Sequence, residues 1–169
     1  MKYSLLLFFI VSYSQTPEII TLPEFYCGKG VIFDKSDHIP LDGYYYLKQF
    51  TPSIEQIKRS EKIMYQDYYT FYVRLFEKNG QNISSINKKY KLPKKVKNKF
   101  KKYYRQYAGY INKDRDTIVF IRLMNFSNQK QANKHFRSWD KFIDFGFGDW
   151  YEKNQTYRSI NLNQNKIDY

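Results

Sequence analysis

Asp34, Asp37, His38 and Asp42 gather three carboxylates and an imidazole in one short stretch. Oxygen donors of this kind suit a hard cation such as calcium, which makes Asp34, Asp37 and His38 the candidate metal ligands. The same loop is where a small secreted hydrolase would find its acid and base. The spacing matches no established ligand template, however. Asp34-Lys35-Ser36-Asp37 followed by Pro40 and Gly43 equally fits a loop whose aspartates cap their own turns. Cys27 with His38 or His135 is the other conceivable pair, a thiolate and its base, but one cysteine and two histidines form a loose pattern. A small buried thiol is the plainer reading of Cys27. The sequence holds no glycine-rich phosphate loop, nucleophile elbow or metalloprotease helix motif, so it calls for no cofactor and names no catalytic residue.

Charge points elsewhere. The chain has 169 residues and a formal net charge of +13. The excess sits in one segment: Lys88 to Arg105 carries ten basic residues and no acidic one. Lys94, Lys95, Lys97, Lys101, Lys102 and Arg105 are the candidate contacts to a polyanion, and the interleaved Tyr90, Phe100, Tyr103 and Tyr104 superficially fit nucleic-acid binding. The spacing of Val96, Phe100, Tyr103 and Tyr107 instead suits the buried stripe of a helix, leaving the lysines as its solvated face.

The compartment narrows the partner. Lys2 precedes the apolar run Leu5 to Val11, and Ser12-Tyr13-Ser14 supplies the small residues of a cleavage site, so residues 1–14 read as a signal peptide with Gln15 as the mature N-terminus. The run is too short to span a bilayer, which takes about 20 apolar residues. A secreted or periplasmic protein is expected, with an anionic polymer or envelope surface as partner and no intracellular nucleic acid. A lone cysteine closes no internal disulfide, so stability must come from a packed core.

The elements that must position these residues read as α+β. Residues 15–163 form one domain, an antiparallel sheet with two or three amphipathic helices on one face, and 164–169 are a loose tail. Tyrosine (18) and phenylalanine (14) supply bulk for a sheet-rich core. The first helix is expected from Thr51 as N-cap and Pro52 at N1, with Ile54, Ile57, Met64 and Tyr68 at helical spacing, interrupted by Glu61. A strand over 68–75 follows, then an Asn79-Gly80 hairpin turn and a return strand over 81–86. The second helix starts at Pro93 and leads into strands over 104–112 and 117–126. The third starts after Ser127, with Ala132, Phe136, Trp139 and Ile143 on one face, and leads into a strand containing Phe145, Phe147 and Tyr151, a turn over 152–156 and a strand over 157–163. Gly146 and Gly148 among these aromatics mark a bend more readily than a ligand's approach.

The recurrence suggests a repeated helix-hairpin unit, although only Glu77-Lys78-Asn79 and Glu152-Lys153-Asn154 are shared, and α+β chains often alternate this way. The composite expectation is a non-catalytic binding module with a basic contact surface; a hydrolase using the Asp34 loop, or an inhibitor of a secreted enzyme, is the alternative.

Overall fold

The computed structural model describes residues 17–40 and 46–168. The signal-peptide segment, Asp42 and Gly43 lie outside them. The class is α+β: a mixed sheet of seven strands with four helices among the described residues. Strands β1 (Glu18–Ile20), β2 (Gly30–Ile32), β4 (Tyr103–Asn112), β5 (Thr117–Asn125), β6 (Gln155–Asn161) and β7 (Lys166–Asp168) lie in that spatial order, and β3 (Tyr46–Phe50) also pairs with β4. One edge of β4 is thus shared. β2 runs parallel to its first half, Gly30 opposite Arg105, and β3 antiparallel to its second half, Phe50 opposite Gly109. All other pairings are antiparallel.

Helix α1 (Ile54–Lys78) corrects the first unit. Its N-cap is Ser53 rather than Thr51, because Ser53 and Gln56 form a reciprocal capping box: Gln56 N donates to Ser53 Oγ and Ser53 N to Gln56 Oε1. Thr51 is engaged elsewhere, donating to Asp34. The strand expected over 68–75 is instead the second half of the helix. Ile57, Ser60, Glu61, Met64, Tyr65, Tyr68 and Phe71 are buried at a spacing of three to four, and burying that stripe outweighs the strand preference of aromatic and β-branched residues. Asn79-Gly80 ends the helix rather than turning a hairpin. Gly80 adopts φ +64°, its N–H donates to Glu77 O, and Gln81 N–H donates to Phe76 O. The expected return strand is a short 3₁₀ turn, Ile83–Ser85, and a second such turn spans Lys88–Lys91.

Helix α2 (Pro93–Phe100) buries Val96 and Phe100 and then gives way to the β4–β5 hairpin, so Tyr103 and Tyr107 belong to a strand. Helix α3 (Gln129–His135) is capped by Asn128, whose side chain accepts from Gln131 N, and it stops before Phe136. The strand expected near 145–151 is a loop followed by α4 (Asp149–Asn154). Gly146 lies so close to Tyr151 that an added Cβ would stand 2.1 Å from its ring, and Gly148 adopts φ +93° at the cap of α4. The C-terminal segment is no loose tail. β7 pairs with β6, Ile167 is fully buried, and its N–H donates to Asp67 Oδ2 at 2.7 Å.

Strand alternation divides the core between two faces. Tyr107, Val119, Ile121, Leu123 and Ile160 point toward α1 and α2. Ala108, Tyr110, Ile118 and Phe120 point the other way, under Trp139, Ile143 and Phe145, with Met124, Phe126, Ala132 and Phe136 continuing that layer below α3.

Candidate functional site

The aspartate loop is a closed turn. Asp34 Oδ1 accepts from Ser36 N and Oγ at 3.0 and 2.8 Å, and Asp34 Oδ2 accepts from Thr51 Oγ1 at 2.6 Å. Asp37 Oδ2 accepts from Asp34 N at 2.7 Å. The Thr51 hydroxyl, with the Ser36 donors behind it, holds the Asp34 carboxyl down to about 2. The carboxylates therefore cap the loop, His38 stands exposed beside them, and among the described residues no three His, Cys, Asp or Glu side chains converge as metal ligands. Cys27 is exposed rather than buried, and its N–H donates to Lys101 O. His135 stacks on Trp150 with ring centres 3.9 Å apart. Neither histidine is hydrogen-bonded to the thiol.

The basic segment separates into one residue that points inward and a lysine-covered exterior. Arg105 is fully buried and cannot touch a polyanion. It alternates with Tyr103 and Tyr107 on the β4 face that meets α1. Its Nε donates to Glu61 Oε1 at 3.0 Å, Nη1 to Tyr103 O at 2.6 Å, and Nη2 to Phe100 O at 3.1 Å and Tyr65 Oη at 3.3 Å. Tyr107 Oη donates to the same Glu61 oxygen at 2.8 Å. Burial alone would lower the guanidinium's pKa, but the Glu61 carboxylate carries it above the ordinary value. Glu61 is thus no interruption of the α1 stripe; it belongs to it because Arg105 stands opposite.

Lys94, Lys95, Lys101 and Lys102 are exposed around Val96 and Phe100, while Lys97 is half-buried, its Nζ donating to Glu24 O. Three lysines lie against aromatic rings. Lys89 sits over Tyr90, Lys91 over Tyr69, and Lys99 is 5.0 Å from the ring centres of Tyr68, Tyr90 and Phe100. None of the lysines from 88 to 102 forms a salt bridge among the described residues.

Behind this surface lies a tyrosine-lined groove centred on Tyr68, which the sequence did not indicate. Lys99 Nζ donates to Tyr68 Oη at 2.6 Å, and Arg158 Nη2, from β6, donates to Tyr72 Oη at 2.7 Å. Arg158 also stacks over Tyr68, Phe71 and Tyr72. A cavity of about 250 Å³ lies between Tyr72, Phe76, Ile86 and Tyr90. A second of about 210 Å³ lies between Lys99, Tyr103, Lys153 and Arg158, and the two share Tyr68, Tyr72 and Lys99 as walls. Burial raises the pKa of Tyr68 and Tyr72 above the usual tyrosine value, although the hydroxyl contact to Tyr72 and the Arg158 charge, respectively, oppose the shift. Both hydroxyls therefore stay protonated at neutral pH. The helical i, i+4 spacing of Tyr68 and Tyr72 could have revealed this groove had the segment been read as helix.

Compared with known proteins, the chain matches no family model, no curated protein and no solved structure.

Proposed function

We propose that the protein is a non-catalytic binding module that works outside the cytoplasm and holds an anionic polymer or envelope surface on the lysine face of α2 and its flanks. The observation that carries this reading is the unneutralised charge. The lysines from Lys88 to Lys102 have no carboxylate partner within salt-bridge distance among the described residues, and the helix that bears four of them is anchored by Val96 and Phe100. Lys94 and Lys95 in the first turn also oppose the helix dipole, so packing must hold α2 in place. A rigid, one-signed surface of this kind attracts polyanions and gives up bound counterions when it meets them. The signal-like N-terminal sequence supports an extracellular setting and turns the expectation from intracellular nucleic acid to extracellular DNA, anionic glycans or anionic lipid. No described helix is long and apolar enough to cross a membrane.

The test is a salt titration of binding to DNA, a heparin-like glycan and anionic vesicles. On duplex DNA each neutralised phosphate contributes a log–log slope near −0.9, so four contacts would cost roughly 150-fold in affinity over a fourfold rise in salt. Replacing Lys94, Lys95, Lys101 and Lys102 with glutamine should flatten the slope and leave the fold intact. Absence of binding to all three at low salt, or unchanged binding by the variant, refutes the reading.

A further inference from the structure

The groove beside Tyr68 combines features that the lysine face lacks: a concave, largely apolar space and two cations held at its border. Lys99 and Arg158 come from α2 and β6, far apart in sequence, and line one cavity. Neither has a salt-bridge partner among the described residues, and Arg158 Nε is buried without a hydrogen bond. Aromatic rings hold both side chains from several sides, which fixes the charges without neutralising them. Tyr68 and Tyr72 accept from these cations, which ties the charges to the rim of the groove.

We propose that this groove is a binding site for an apolar carboxylate, whose oxyanion lies between Lys99 and Arg158 and whose hydrocarbon body fills the cavity between Tyr72, Phe76, Ile86 and Tyr90. The cavity is lined by three cations, Lys99, Lys153 and Arg158, against the single carboxylate of Glu152, a net charge of +2 that calls for an anion. The preference for a carboxylate with a hydrocarbon body over phosphate rests on the adjoining apolar space. At about 30 Å³ of liquid volume per water, 250 Å³ corresponds to roughly eight waters, and apolar walls make it more favourable to fill that space with hydrocarbon than with water. Aliphatic and aromatic carboxylates share this chemistry. The two readings can be tested apart, because neither Lys99 nor Arg158 is among the lysines replaced in the polyanion test, Lys94, Lys95, Lys101 and Lys102.

The experiment is titration calorimetry of the protein with decanoate, 2-naphthoate, acetate, decanol and inorganic phosphate. Decanoate or 2-naphthoate should bind at least tenfold more tightly than acetate, decanol and phosphate, and the tighter of the two shows whether the body is a chain or a ring. Lys99→Gln and Arg158→Gln should each weaken that binding at least tenfold, with thermal melting confirming the fold. Ile86→Trp, which fills the apolar cavity, should abolish decanoate binding and leave acetate unaffected. The Lys94/Lys95/Lys101/Lys102→Gln variant should bind decanoate like the wild type, which separates this site from the polyanion surface. Equal binding of phosphate and decanoate, equal binding of decanol and decanoate, or affinity unchanged in folded Lys99→Gln and Arg158→Gln variants overturns the proposal.

Discussion

Arg105 and Arg122 stand on neighbouring strands, one register step apart, and point to opposite faces of the sheet: Arg105 pairs across to Leu123, Arg122 to Gln106. Each meets one carboxylate. Glu61 approaches Arg105 at 3.0 Å with both side chains fully buried, whereas Asp144 approaches Arg122 at 3.2 Å with its own side chain 58% exposed. Arg122 is further held by Gln106 and Gln155, and the amide groups of those glutamines tie down the loop through Trp139 O, Phe142 O and Gly146 O. Burial lowers the Arg122 pKa, and Asp144 only partly offsets this.

The two carboxylates should therefore differ in what their loss costs. Glu61→Gln leaves a buried guanidinium without its counter-charge, a change that destabilises by about 3–5 kcal/mol. Asp144→Asn removes a solvated partner and should cost about 0–1 kcal/mol. Urea denaturation of both variants checks this, and similar losses would contradict the assignment of Glu61 as the buried partner.

The lysine helix should show the same division between inside and outside. Phe100→Ala empties a site where the side chain is 2% exposed and should cost about 3–5 kcal/mol. Lys101→Ala, on the solvent side, should stay within about 0.5 kcal/mol of wild type. Equal small effects in thermal melting would mean that α2 packs on a different face.

High pH should unfold the protein through its tyrosines. Burial pushes Tyr26 up to about 12, lifts Tyr65 further, and raises Tyr107 well above the ordinary value of 10.0. A folded-state value above the unfolded one stabilises fully below pH 10 and is lost as pH rises through the folded value. Tyrosinate absorbance should accordingly show one group of tyrosines ionising near pH 10 and a second only when circular dichroism reports unfolding. A single, early, complete transition in a folded protein would be inconsistent with these buried hydroxyls.

At the acid end the sign reverses. Asp34 lies at about 2 against an ordinary 3.8, so its contribution is complete above pH 3.8 and is lost as pH falls toward 2. Asp34→Asn should narrow the difference in stability between pH 5 and pH 2.5 relative to wild type, measured by thermal melting.

Much of the second half of the fold was legible because its signals are local. The β4–β5 hairpin surrounds a polar turn, and the run Ile118-Val119-Phe120-Ile121 is apolar on both faces, as a strand covered from both sides must be. The first half was not. Tyr68 to Leu75 carries residues that suit a strand, and only the buried face of α1 decides for helix. Glu61 looked like a break in a stripe and Arg105 like the last of a series of surface cations, because each is explained by the other across 44 residues of sequence. The period-two run Tyr103, Arg105, Tyr107 was the available clue. The groove was hidden for the same reason, since Lys99 and Arg158 meet only after α1 brings Tyr68 and Tyr72 between them.

The shared edge of β4 also sets an order of events. The β4–β5 hairpin closes over a few residues, but β2 must wait for a strand about 75 positions further along the chain, and a parallel pairing at that distance is reached only after a large loss of chain entropy. During refolding the hairpin and α1 would come together first, with β1 and β2 arriving as the closing step. In the finished protein the same strands, held by three residue pairs each, would be the first to lift away, and amide hydrogens of Val31 and Ile32 should exchange sooner than those of Val119 and Ile121.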